Sequence, residues 1–274
     1  MDRDKRLFLK LMGISTGLVI GSRLFGGVSS ILKLGRVLGQ DAFASDATGI
    51  GIGKAVSNPS ALTAKRWAMA VDLRKFKTNE DYKRCIDVCD KIHNIPDIPD
   101  KQDIKWIWTE LYENAFPEQQ NKYMEEELKD KQVLLFCNQC EYPPCVRVCP
   151  TGATFKRADG IVMMDYHRCI GCRYCMAGCP YGSRSFNFQD PRPFIKNIDP
   201  EYPTRTRGVV EKCDFCAERL DKGMIPACVE ASRGAMIFGD LSDPNSDIRK
   251  VLSNNFSIRR KPEIGTQPNI FYII

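Results

Sequence analysis

Histidine is nearly missing from this chain of 274 residues; only His93 and His167 occur. Much acid–base and nucleophilic chemistry is excluded with it. There is no Ser/His/Asp set, no phosphate-cradling loop and no dinucleotide fingerprint. Long apolar runs are missing too. The stretch from Leu11 to Gly21 is followed by Arg23, and no run reaches the roughly 18 apolar residues of a membrane span. Nor does any basic face carry interleaved aromatics, which argues against nucleic acid.

What the chain has instead is cysteine, thirteen in all. The run Cys169, Cys172, Cys175, Cys179-Pro180 is the C-x2-C-x2-C-x3-C-P pattern of a bacterial-type ferredoxin. Cys137, Cys140, Cys145 and Cys149-Pro150 repeat it with two extra residues in the middle. Zinc is the rival reading of any Cys-x2-Cys, but a zinc ribbon has no third Cys two residues on and no fourth followed by Pro. Cys213, Cys216, Cys228 and Ser232 read as a further motif whose last ligand is now Ser. Tyr82, Cys85 and Cys89 read as a first motif, its second ligand now Tyr and its first falling near Thr78 or Asn79.

In two-cluster ferredoxins, three Cys of one motif join the last Cys of the other. Crossing the inner motifs gives Cys137, Cys140, Cys145 with Cys179, and Cys169, Cys172, Cys175 with Cys149. Crossing the outer motifs gives Cys213, Cys216, Cys228 with Cys89. The fourth set would be the Thr78/Asn79 region, Tyr82, Cys85 and Ser232, which keeps a single thiol. Every lost ligand falls on one site. The expectation is therefore three [4Fe–4S] clusters, a vacant fourth site, and Cys85 as a small buried hydrophobe. The structural reading is preferred for both histidines, with a hydrogen bond from His167 near the Cys169 loop and haem ligation by His93 as the alternatives.

The formal charge of +6 is concentrated at the start, where residues 1–44 hold seven basic and three acidic side chains. Each oxidised cluster with its thiolates carries about −2, so three bring the loaded chain close to neutral. Lys5-Arg6-Leu7-Phe8-Leu9-Lys10 resembles a twin-arginine (Tat) signal with Lys for the first Arg, and Ala42-Phe43-Ala44 offers a small-residue cleavage site. Residues 1–44 are read as that signal or as a retained anchor, and export of a folded chain would suit clusters built before transport. Residues 45–64 read as a linker.

The fold class is α+β: two stacked ferredoxin-like modules, an outer one from 65–95 plus 208–240 and an inner one from 133–190. Strands are expected at Arg66–Lys75, Val133–Phe136 and Ala235–Phe238, with a hairpin over Thr154–Met164. A strand–loop–helix unit is expected four times. Ile104, Ile107, Trp108, Leu111, Tyr112 and Ala115 recur at helical spacing, so 96–132 is expected as a helical insertion ended at Pro117. Asp190–Arg207 reads as a surface loop. The apolar end, Ile270–Ile274, either tucks into the core or docks on a partner; 241–274 is assigned as a docking tail.

The stretches Arg66–Leu73, His93–Pro96, Cys140–Thr151, Phe155–Cys169 and Phe238–Leu241 resemble the DsrO-type subunit. This is the periplasmic iron–sulfur protein of a membrane complex linked to dissimilatory sulfite reduction, within the four-motif subunits of the dimethyl sulfoxide and polysulfide reductases. The resemblance covers nearly everything after residue 64. It implies a non-enzymatic electron-transfer subunit on the periplasmic face, held at the membrane through partners or its N-terminal segment. The implied partners are an NrfD-like polytopic quinone-interacting subunit, a multihaem cytochrome c, and further haem and iron–sulfur subunits. In related reductases the first-motif cluster lies nearest a molybdenum subunit. The broken outer site thus argues against the alternative, an electron-transfer subunit of a molybdenum-dependent polysulfide or DMSO-type reductase.

Overall fold

The computed structural model describes residues 58–99 and 101–274. The expectations for the Tat-like signal at 1–44 and for most of the linker lie outside the described residues. No helix among the described residues is long and apolar enough to cross a membrane.

The sequence Trp67-Ala68-Met69-Ala70-Val71-Asp72 forms strand β1 (Trp67–Asp72), and every one of its residues is buried. Near-continuous apolar character suits a strand covered on both faces. Period-two alternation sends Met69 and Val71 into the main core and Ala68 and Ala70 into a smaller one. The small alanines leave room for Ile248, which comes from a helix over Asp247–Asn254.

Helix α1 (Asn79–Ile92) follows directly and contains Tyr82, Cys85 and Cys89. The first motif is therefore one continuous helix, and the expected strand–loop–helix unit occurs without a cysteine loop here. The start of the helix supplies the reason. Asp81 Oδ2 accepts the backbone N–H groups of Lys77 (3.1 Å) and Thr78 (2.9 Å) and the Thr78 hydroxyl (2.9 Å). A Thr and an Asp three residues apart close a helix start, in the region where a first ligand would have opened a loop.

The helical insertion expected at 96–132 is also overturned. Ile107–Leu111 is strand β2, followed by a single turn α2 (Tyr112–Ala115) and a short α3 (Glu126–Lys129). β2 pairs antiparallel with β3 (Gln132–Phe136), with Trp108 opposite Leu135. Ile, Trp and Thr favour a pleated, half-buried surface, and the waiting partner strand overrides the helical spacing.

Three small pieces complete the inner region: α4 (Pro144–Arg147), the hairpin β4 (Thr154–Lys156) and β5 (Val162–Met164), and α5 (Tyr174–Ala177). Then β6 (Ser185–Phe186) pairs antiparallel with β7 (Val210–Glu211). The loop between them is not purely superficial. Arg205 is buried and pairs with Glu211 at 2.6 Å, and Glu211 also accepts the Trp106 indole N–H at 2.9 Å. Helices α6 (Ala217–Leu220) and α7 (Ala227–Ala231) lead to β8 (Met236–Asp240), and α8 (Asp247–Asn254) follows.

The tail assignment needs correction most. After β9 (Ser257–Ile258), strand β10 (Ile270–Ile273) lies parallel to β1, pairing Met69 with Ile270 and Asp72 with Ile273. The sheet order is β8-β1-β10-β9, so the last strand is interior. Ile270, Tyr272 and Ile273 are all essentially inaccessible. This end of the chain completes the sheet instead of projecting toward a partner. An apolar pentapeptide satisfies its backbone and buries its side chains at once in such a position.

Candidate iron–sulfur centres

The first inner loop leaves β3 at Cys137. Gln139 takes a left-handed conformation (φ 43°), which turns the chain sharply before Cys140. A network fixes that turn. Val162 N–H donates to Gln139 Oε1 (2.8 Å), and Gln139 Nε2 donates to the Cys213 carbonyl (2.9 Å). The tail forms the other wall. Asn269 Nδ2 donates to the Gln139 carbonyl (2.6 Å), and Glu141 and Tyr142 N–H donate to the carbonyls of Gln267 and Thr266. The same backbone device recurs before the second Cys of the other two loops, at Gly171 (φ 70°) and Phe215 (φ 62°). Glycine is required at Gly171, because a Cβ there would collide with the Gly208 carbonyl oxygen.

These turns gather the cysteines. One small cavity is lined by Cys137, Cys140, Cys145 and Cys179, together with Asn138, Val162, Tyr181 and Arg184. A second is lined by Cys149, Cys169, Cys172 and Cys175, together with Thr154, Met164 and Val210. In each, three thiols come from one motif and the fourth from the other. The exchanged residues, Cys149 and Cys179, each follow a short helix, α4 and α5, that carries the chain from its own loop to its neighbour's.

The outer thiols converge as well. Cys89 sits in the last turn of α1, Cys213 and Cys216 follow β7, and Cys228 lies in α7. All four are buried. The Cys89 thiol is pushed up by burial and then by the charges of Cys216, Cys213 and Cys228. His93 closes one side: Nδ1 lies 3.4 Å from Cys89 Sγ and 3.1 Å from the Cys89 carbonyl, while Nε2 lies 3.2 Å from Glu218. It stacks on Trp106 and is buried. His167 is exposed.

The remaining thiol and its neighbours are engaged within the protein. Cys85 Sγ lies 3.5 Å from the Cys228 carbonyl and 3.6 Å from that of Asp81. The Tyr82 hydroxyl donates to the Gln132 carbonyl (2.7 Å), and its ring stacks on Phe76. Ser232 donates to the Val229 carbonyl and accepts the Met236 N–H.

The electrostatics test whether the cysteine sets suit a metal cluster. Burial first, and then the charges of Cys137, Cys145 and Cys179, push the Cys140 thiol up to about 12, against a lowering by the Thr266 hydroxyl. Cys213 and Cys216 are raised well above the ordinary thiol range, burial being the first cause in both. Packing thiolates this closely is unfavourable unless metal charge compensates, and a coordinating thiol is deprotonated outright. Cys149 differs. Burial raises it, but the Thr154 N–H (3.4 Å) and the Thr151 hydroxyl outweigh this and lower it overall. Two orphaned polar groups also face the first cavity. Both Asn138 side-chain atoms and Arg184 Nη2 are buried without a protein partner. Donors left over beside sulfur ligands suit a group that brings its own sulfide acceptors. The donor sets therefore fit iron–sulfur clusters. Gln139, Asn138 and Arg184 had no signal in the sequence; Gly171 lies inside the Cys169–Cys179 motif.

A 4Fe–4S dicluster domain model matches residues 133–192, the region that holds both inner cysteine sets. Similarity to whole proteins extends over most of the chain. The chain is 42% identical over 240 residues to Hdr-like menaquinol oxidoreductase iron–sulfur subunit 1 of Archaeoglobus fulgidus, covering 79% of this chain and 87% of that protein. It is 35% identical over 237 residues to the iron–sulfur cluster-binding subunit of menaquinone reductase from Nitratidesulfovibrio vulgaris, covering 76% and 88%. With protein NrfC of Escherichia coli the identity is 31% over 234 residues, covering 82% and 92%. The crossed cysteine loops and these matches over more than three quarters of the chain have one conclusion: the chain belongs to this family of 4Fe–4S iron–sulfur subunits of membrane oxidoreductase complexes.

Proposed function

We propose that this chain is the DsrO-type electron-transfer subunit of a membrane complex, itself without a catalytic site. It relays electrons between an NrfD-like polytopic subunit that exchanges them with menaquinone and a periplasmic multihaem cytochrome c, in sulfite-linked respiration. Further haem and iron–sulfur subunits complete the complex, and a Tat-like signal delivers the chain folded to the periplasmic face. The observation that carries the reading is the gathering of the eight inner cysteines into two crossed sets, and the mutual charge effects of Cys89, Cys213, Cys216 and Cys228 support a third. Two menaquinone-linked relatives support the quinone side.

Three [4Fe–4S] clusters held by these sets would supply one-electron chemistry. Cys137, Cys140, Cys145 and Cys179 hold the first; Cys149, Cys169, Cys172 and Cys175 the second; Cys89, Cys213, Cys216 and Cys228 the third. The inner and outer sets form two stacked ferredoxin-like modules. The surrounding chain keeps the thiolates in place and shields them from water, with Gln139, Asn269 and Thr266 clamping the first loop.

The molybdenum-reductase alternative calls for a fourth cluster near the first motif. Tyr82, Cys85 and Ser232 are already engaged there within the protein, which favours the cytochrome route. Iron analysis of anaerobically purified protein tests this. Three clusters require about twelve irons per chain, four require about sixteen, and a zinc protein has none. Sixteen would transfer the argument to the molybdenum reading.

A further inference from the structure

Two buried cations lie between the cysteine sets, and the electron-relay reading assigns neither a role. Arg184 is 5% exposed and lines the first inner cavity. Its Nη1 donates to Thr154 Oγ1 (3.2 Å) and Met164 Sδ (3.1 Å), and both of those residues line the second cavity. Nη2 has no protein partner. One guanidinium thus spans the wall between two thiolate sets. Its charge is felt by Cys145 and Cys137 on one side and by Cys175 on the other.

Lys212 is 1% exposed, and its Nζ donates to the carbonyls of Val162 and Cys213 (2.8 Å to the latter). Val162 lines the first inner cavity, whereas Cys213 belongs to the outer set. Cys137 is itself close enough for its charge to raise the Cys213 thiol, after burial, the first cause. Lys212 therefore stands at the join between the first and third sets.

Among the described residues neither cation is paired with a carboxylate. A buried, unpaired charge is costly unless something nearby compensates it. Fully buried Arg and Lys are uncommon for that reason. At Arg184 the compensating charge is thiolate from two neighbouring sets; Lys212 is held instead by the carbonyls of Val162 and Cys213, which places it beside two sets as well.

We propose that Arg184 and Lys212 are positioning residues that raise the potentials of neighbouring clusters in pairs, Arg184 acting on the first and second and Lys212 on the first and third. The proposal rests on the three-cluster reading above. Each electron taken up adds one negative charge to a set, and a fixed cation in a water-poor wall favours the reduced form more than it would in water. The first set borders both cations. It is held at the highest potential they can impose and acts as the low point between its two neighbours.

The test is an EPR-monitored redox titration of the whole chain, wild type against Arg184→Met, Arg184→Lys and Lys212→Met. Arg184→Met should shift two cluster potentials negative by at least a tenfold change in the reduction equilibrium, about 59 mV for one electron. The third should stay in place, and Arg184→Lys should recover most of the shift. Lys212→Met should move a different pair with one member in common. Iron content separates failure of the premise from failure of the inference. Fewer than about twelve irons in the wild type would refute the three-cluster reading. Full iron with unmoved potentials, or with all three moved equally by either variant, would overturn the pairing. If Met at either position fails to fold, Arg184→Lys and Lys212→Arg keep the question open to measurement. Each keeps the charge, so potentials near wild type are expected, and a displaced pair as large as that predicted for Met would overturn the electrostatic role.

Discussion

Replacing Ile273 by Ala tests the placement of the chain end most directly. Ile273 is fully buried against Ala68, Ala70 and Ile248, on the face of β10 opposite Tyr272. Deleting three buried carbons from such a site costs about 2–5 kcal/mol through lost transfer energy and the cavity left behind. Small neighbouring alanines cannot spread to fill the gap, so the upper half of that range is expected. A typical domain has about 5–15 kcal/mol in total, so the loss is a large fraction of it. Ile274, one residue on, is 40% exposed, and Ile274→Ala should stay within about 0.5 kcal/mol of wild type. The assay is anaerobic guanidinium unfolding of the isolated chain, followed by far-UV circular dichroism and cluster absorbance. A docking tail would behave differently: both substitutions would leave the isolated chain unmoved and weaken only its assembly. Equal midpoints for Ile273→Ala, Ile274→Ala and wild type would refute the interior placement of β10. Because Thr266 to Asn269 clamp the first cysteine loop, Ile270→Ala should also hasten loss of cluster absorbance.

Cys213→Ala should remove one cluster, about four irons per chain, whereas Cys85→Ala should remove none; iron loss in the Cys85 variant would overturn the ligand assignment. Arg205→Ala should destabilise by about 3–5 kcal/mol, because it strands Glu211 in the interior. The double change Arg205→Met with Glu211→Met should recover much of that, and calorimetry of the three variants checks it. Asp72 is held below the usual carboxylate range, chiefly by its hydrogen bonds with Arg74. A depressed acid contributes stability above its unfolded value, about 3.9, and loses it as pH falls through the folded one. Asp72→Asn should therefore be less stable than wild type at pH 7. The gap should narrow as pH drops below about 4; a constant gap would show that charge is not the cause.

Local pattern and tertiary context divided the work unevenly. β3, β8 and the β4–β5 hairpin were readable because their apolar runs flank cysteine motifs whose spacing leaves room for little else, and β1 was readable from its own short apolar run. The segment 107–111 was not. Its apolar positions satisfy a helical period as well as a strand, and pairing with β3 decides between them. The first motif reads as a degenerate cysteine loop, yet the Thr78–Asp81 start turns it into a helix that keeps Cys89 in reach of the outer set.

By itself the sequence determined the chemistry: cysteine spacing is a short-range property, and a thiolate set of that spacing suits iron and sulfide whatever surrounds it. Only the tertiary structure decided what stands between the sets. Arg184 reaches Cys137 and Cys145 across the fold, Gln139 is held by Val162 and Cys213 from later in the chain, Lys212 bridges Val162 to Cys213, and β10 reaches β1 from the opposite end of the chain. Contacts of that range arise from burial and pairing across the whole fold, and no local residue pattern carries them.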